Sequence, residues 1–154
     1  MAVKIPATSP PTDGELQALA DWVGHSLPTS YLDFVGRHDG AEPEANSICT
    51  VDNEVSVSRF VPVREARELA AAIDGFPSSA IPLAEDDCGN YFYVDPASGC
   101  VYFWDHEIEG PNELLSSDVA TFAEKLSPFD AASVELAPGQ VISAWINPYF
   151  KPKF

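Results

Sequence analysis

Basic residues are scarce in this chain. Eight Lys and Arg stand against 24 Asp and Glu, for a formal net charge of −16, and between Arg67 and Lys125 there is neither Lys nor Arg. Phosphate contacts need clustered cations to displace counterions, so a nucleic-acid binder is excluded. An acidic membrane leaflet is excluded for the same reason. Cysteine is also sparse: Cys49, Cys88 and Cys100 make no Cys-x-x-Cys spacing, and no secretory apolar segment opens the chain. A reduced, cytoplasmic protein is expected. No apolar run approaches the roughly 18 residues that a membrane span needs. A Gly-x-Ser-x-Gly elbow, a phosphate-binding Gly-rich loop and a Cys/His pair are missing as well, which removes the commonest routes to catalysis.

What is present is an apolar share of 45% in 154 residues, enough for one ordinary core and one domain. Residues 1–11, "MAVKIPATSPP", are Pro-rich and aperiodic and are expected to form a flexible leader. "TDGE" then fits a capping box at Thr12, with Leu16, Leu19, Ala20 and Val23 following at helical spacing. "LPTSYLDFVGRHDG" predicts a second helix with Pro28 in its first turn, Gly40 as its stop, and Tyr31, Leu32, Phe34 and Val35 buried. "SICTV" and "EVSVSRF" flank Asp52-Asn53 and suggest a hairpin. Pro62 opens a third helix with Ala66, Leu69, Ala70 and Ile73 on one stripe and Gly75 beyond it.

The stretch "AEDDCGNYFYVDPASGCVYFWDHE", residues 84–107, carries six acids and six aromatics and no Lys or Arg. A loop at Pro96 to Gly99 would pair residues whose numbers sum to 195: Val94 with Val101, Tyr93 with Tyr102, Phe92 with Phe103, Tyr91 with Trp104. Side chains alternate across a strand, so Phe92, Val94, Val101 and Phe103 form a core face, and Tyr91, Tyr93, Tyr102 and Trp104 form the other. A second hairpin closed by Asp86 to Gly89 would set Leu83 opposite Phe92 and Ile81 opposite Val94, on the same core face. The two registers agree, and a one-residue slip would turn the apolar set to water. The Tyr/Trp face has two readings, cover by the C-terminal "QVISAWINPYF" or exposure to a partner.

In the same register Asn90 opposes Asp105. Glu85, Asp86 and Asp87 therefore share one end of the sheet with Asp105, Glu107 and Glu109. This group does not keep the alternating oxygen spacing of a Ca²⁺ loop, and only His106 and Cys88 are near enough to serve Zn²⁺. No nucleophile, base and oxyanion donors assemble around it, so neither metal, cofactor nor catalytic residue is expected. Cys88 would oppose Glu107 rather than Cys100, so both are expected to be plain thiols. An acidic surface of this kind steers a basic partner.

"LPTSYLDFVGRHDG", "IPLAEDDCGNYFYVD", "GCVYFWDHE" and the helical "SSDVATFAEKL", in that order, resemble the signatures of the SUKH superfamily. That superfamily includes fungal cell-wall assembly regulators and bacterial immunity proteins. The resemblance covers roughly residues 12–127 and leaves 128–154 as an extension expected to pack on the domain. It departs from the pattern where a Gly-Gly pair after the second helix is here Asp39-Gly40. The fold implied is α+β, an antiparallel sheet of about four to six strands flanked by helices. The function implied is that of a non-enzymatic cytoplasmic immunity protein that binds and blocks a secreted polymorphic toxin, often a nuclease. A regulatory interaction module is the alternative. On the immunity reading Glu85, Asp86, Asp87, Asp105, Glu107 and Glu109 steer a basic toxin, and Tyr91, Tyr93, Tyr102 and Trp104 anchor it. The sequence leaves oligomeric state open.

Overall fold

The computed structural model describes residues 4–129 and Pro138. The first helix, α1 (Asp13–Val23), begins where the Thr12 hydroxyl accepts the Glu15 N–H at 3.2 Å. It ends at Gly24, whose φ of +72° lets its N–H return to the Ala20 carbonyl. Leu19 and Val23 bury its apolar stripe. In α2 (Thr29–His38) the buried residues are Tyr31, Phe34 and Val35. Leu32, expected inside, is exposed, because an i, i+3, i+4 stripe built on Tyr31 leaves position i+1 off the face.

Asp39 and Gly40 end α2 beside the start of α3 (Val63–Ala72). The Asp39 carboxylate accepts the Val63 N–H at 2.8 Å and so caps α3 from the end of α2. Burial pushes the Asp39 carboxyl above its ordinary range, and the Val63 hydrogen bond offsets part of that rise. Gly40 has φ +70°, and a Cβ there would sit 3.1 Å from Pro62 Cγ. Both the backbone and the space favour glycine at the turn. The helix stops one residue earlier than its expected stripe: Ile73 is extended and packs elsewhere, on the far face of the sheet.

Among the described residues that sheet is a five-stranded antiparallel meander of β3 (Arg59–Phe60), β4 (Ile81–Glu85), β5 (Tyr91–Val94), β6 (Val101–Trp104) and β7 (Glu113–Ser116), in that order. The expected fold class, an antiparallel sheet with helices, is the one observed. A separate two-stranded sheet joins β1 (Ser47–Cys49) to β2 (Glu54–Ser56) about the expected turn. "EVSVSRF" is therefore divided between sheets, its first part in β2 and its last in β3. The β5–β6 pairing has all four expected partners, from Tyr91 with Trp104 to Val94 with Val101.

The β4–β5 pairing departs from expectation in its upper half. Ile81 faces Val94, but Ala84, not Leu83, faces Phe92. The register shifts between Pro82 and Ala84, leaving Leu83 as the extra residue of a bulge. Leu83 and Ala84 then both join the main core. That core lies between one sheet face and the helices, with Phe34, Phe60, Phe122 and Phe92 in successive ring contacts of 4.6, 6.4 and 5.3 Å. A fourth helix, α4 (Val119–Lys125), contributes Val119 and Phe122, and the Asp118 carboxylate accepts the Thr121 N–H at 2.7 Å to start it.

Residues 4–11 are packed against the domain and do not form the free leader expected from their composition. Ile5 belongs to the core, the Thr8 N–H donates to the Arg37 carbonyl, and His38 Nδ1 donates to the Pro6 carbonyl at 2.9 Å. Proline lowers the entropy of such a segment before it docks, so Pro content alone does not separate a linker from an ordered arm. Ser47 and Ser127 exchange backbone hydrogen bonds and tie the β1–β2 hairpin to the chain beyond α4. The expected packing of 128–154 lies, apart from residues 128, 129 and 138, outside the described residues.

Candidate functional site

The acidic end of the sheet is organised by the loop between β4 and β5. Asp86 Oδ1 accepts the N–H groups of Cys88 and Asn90, each at 2.8 Å, and Asp86 Oδ2 accepts from Asn90 Nδ2 at 3.0 Å. Gly89 carries φ +87°, and a Cβ on it would meet His106 Cε1 at 3.4 Å. Asn90 is 9% exposed and turns its carbonyl the other way, accepting the His106 N–H at 3.1 Å with the His106 ring Nδ1 at 2.7 Å. An amide oxygen can only accept, so this contact assigns the ring proton to Nδ1. Asp105 Oδ1 then accepts the Glu107 N–H at 2.9 Å.

These hydrogen bonds divide the six carboxylates into two kinds. Glu85 is engaged by Arg59 at 2.6 Å, and the same guanidinium reaches Glu65 at 2.8 Å. The hydrogen bond that Arg59 donates to Glu85 holds the guanidinium above its ordinary pKa, and burial pulls the other way. Asp86 and Asp105 shape their own turns. Asp87, Glu107 and Glu109 are exposed. Asp87 touches Ser56 Oγ at 3.4 Å, and Glu107 lies 3.8 Å from His106 Nε2. Three carboxylates at this end are thus turned to solvent, next to three that build the scaffold.

The aromatic face has a different standing. Tyr93 and Trp104 are each 8% exposed and form a second cluster with Ala80, joined by Ile73, Phe76, Tyr91 and Tyr102. The Phe76 ring meets Tyr91, Tyr93 and Trp104 edge-on at 6.1, 5.8 and 5.6 Å, the arrangement that the ring quadrupoles favour. Tyr93 stacks on Tyr102 at 5.3 Å and its hydroxyl accepts from Asn112 Nδ2 at 2.9 Å. Burial raises the phenol pKa of Tyr93 and of Tyr91, with the Glu85 charge adding to the rise at Tyr91. The cover therefore comes from the α3–β4 connection, and "QVISAWINPYF" lies outside the described residues. Of the four expected anchors, Tyr91 and Tyr102 keep partly accessible edges.

From sequence Asn90 served only as a register mark opposite Asp105, and Phe76 was not singled out. Phe76 had a signal, an aromatic between Gly75 and Pro77 in a connection too short to bury it anywhere but the sheet. Among the described residues no group of three or more His, Cys, Asp and Glu side chains could hold a metal ion, so the carboxylates share an end without focusing on a point. No described helix is long and apolar enough to cross a membrane. The three cysteines are free, with Cys49 and Cys88 exposed.

The model of the SMI1/KNR4 family (SUKH-1) matches residues 10–125. A protein of Bacillus subtilis (strain 168), the SPbeta prophage-derived uncharacterized protein YokK, is 25% identical over 126 residues, and the match takes in 66% of each chain. The chain thus spans a little under two thirds of that relative's length. The ordered signatures, the antiparallel meander and the family match concern the same stretch of chain.

Proposed function

Since the chain belongs to the SMI1/KNR4 (SUKH-1) family, we propose that it is a cytoplasmic immunity protein. On this reading it has no catalytic role of its own and neutralises a basic polymorphic toxin, of the nuclease kind, by binding it at the acidic end of the sheet. The observation that carries the reading is the exposure of Asp87, Glu107 and Glu109 at one end of the sheet, in a stretch of 57 residues from Glu68 to Glu124 that holds no Lys or Arg. Such a surface raises the local concentration of a cationic partner and speeds encounter, and its effect falls with salt. A nuclease that grips phosphates presents a complementary basic face. The prophage origin in the relative's name is compatible with a role in conflict between cells or genomes.

The buried state of Tyr93 and Trp104 narrows the contact to the carboxylates with the edges of Tyr91 and Tyr102. The test is a pull-down of the purified chain with the C-terminal domain encoded by the neighbouring gene, followed by an assay of that domain's activity. A salt-sensitive complex that silences the domain is expected. Failure to bind any neighbouring product would instead favour a regulatory interaction module.

A further inference from the structure

A groove opens where the β1–β2 turn leans over the end of β7, beside the acidic end but separate from the β4–β5 loop. Its volume is about 210 Å³, and its walls include Val51, Asp52, Phe103, Asp105, Ile108 and Glu113. Small-molecule sites run to roughly 300–1,000 Å³, so this one is the size of a single long side chain. Three of its walls are carboxylates, and among the described residues neither Lys nor Arg lines it. Glu113 Oε1 accepts the Val51 N–H at 2.6 Å, whereas its Oε2 is shielded from solvent and has no hydrogen-bond partner among the described residues. An unmet buried acceptor is costly, and a donor brought from outside would remove that cost. The two lips are apolar and open: Val51 is 86% exposed and Ile108 63%.

Carboxylates in the wall beside open apolar lips suit a cation on an aliphatic stem. The described His, Cys, Asp and Glu side chains make no metal-holding group, so a bare ion does not fit. Phe103 and several carboxylates in the wall favour a planar, forked guanidinium over an ammonium. We propose that this groove receives an arginine side chain of the partner protein, its stem between Val51 and Ile108 and its guanidinium against Asp52, Asp105 and Glu113. The proposal rests on the reading of the chain as a binder of a basic protein. It adds a seat for one residue to the steering surface that Asp87, Glu107 and Glu109 provide.

The test is an amide NMR titration of the full chain with an acetylated, amidated Gly-Arg-Gly-Arg-Gly peptide and with its citrulline counterpart. The arginine peptide is expected to move the signals of Val51, Asp52, Ile108 and Glu113, and the citrulline peptide to leave them in place. Glu113→Gln, and Asp52→Asn on the exposed turn as a variant that spares packing, should each weaken binding by about tenfold. Shifts confined to Asp87, Glu107 and Glu109 would overturn the groove while leaving the basic-partner reading intact. Equal response to citrulline, or no response at all, would overturn the groove.

Discussion

Asn90 and His106 are joined twice, through the His106 N–H at 3.1 Å and the ring Nδ1 at 2.7 Å, both onto the Asn90 side-chain oxygen. A neutral amide thus links the two acidic segments that the sequence keeps 16 positions apart. Like charges brought to one end repel, and the scaffold that holds them there is this hydrogen-bond network together with the Arg59–Glu85 ion pair.

Asn90→Ala should therefore lower stability by about 1–3 kcal/mol, because the Asp86 carboxylate and the His106 donors lose a buried partner. Urea denaturation measures the loss. The same variant should broaden or shift the amide signals of residues 86–89 and 105–107 while leaving β5–β6 unchanged.

Phe76 roofs the second aromatic cluster. Phe76→Ala should cost about 2 kcal/mol, below the range for a fully buried Phe because this ring is half-buried. Opening the roof wets Trp104, so its fluorescence should move to the red. An unshifted spectrum would mean that another segment covers the cluster.

The Asp118 carboxyl is held below the usual carboxylate range by the Thr121 N–H and hydroxyl at the start of α4. Its folded pKa lies below its unfolded one, so the stability it contributes is present above about pH 4 and is lost as pH falls through the folded value. Asp118→Ala should cost about 1 kcal/mol at pH 7, and the difference from the parent should close on acidification. Asp118→Asn, which still caps, should cost less at pH 7. Asp39, raised by burial, contributes with the opposite sign, and it cancels when parent and variant are compared at each pH. Thermal melts from pH 7 to about pH 2 give the comparison.

The parts of the fold that could be read from sequence were those with their own local punctuation. At β5–β6 the Asp95 carboxylate accepts the Ala97 N–H and the Gly99 N–H returns to the Asp95 carbonyl, so Asp-Pro-x-x-Gly fixed the turn and the turn fixed the register. The bulge in β4 had no such mark, because Leu83 and Ala84 are both apolar and either fits the core. Strand β7 was missed since Glu-Leu-Leu-Ser neither alternates nor carries a β-branched residue. Charge could be located to one end of the sheet from the register alone. Which carboxylates remain free depends on Arg59, 26 residues before Glu85 in the chain, and no local pattern reports that pairing. Tyr93 and Trp104 illustrate the same limit, as their cover comes from a connection whose path only the tertiary structure shows.

Stopped-flow association of the parent chain and an Asp87→Lys, Glu107→Lys, Glu109→Lys variant with the basic toxin proposed as its partner, across ionic strength, tests whether the acidic end makes the encounter. These three are chosen over Asp86 and Asp105 because reversing them leaves the turns intact. The expected result is a parent rate that falls steeply with salt and a variant about tenfold or more slower at low salt with most of that dependence gone. Identical rates and identical salt slopes for the two proteins would contradict an acidic docking surface at this end of the sheet.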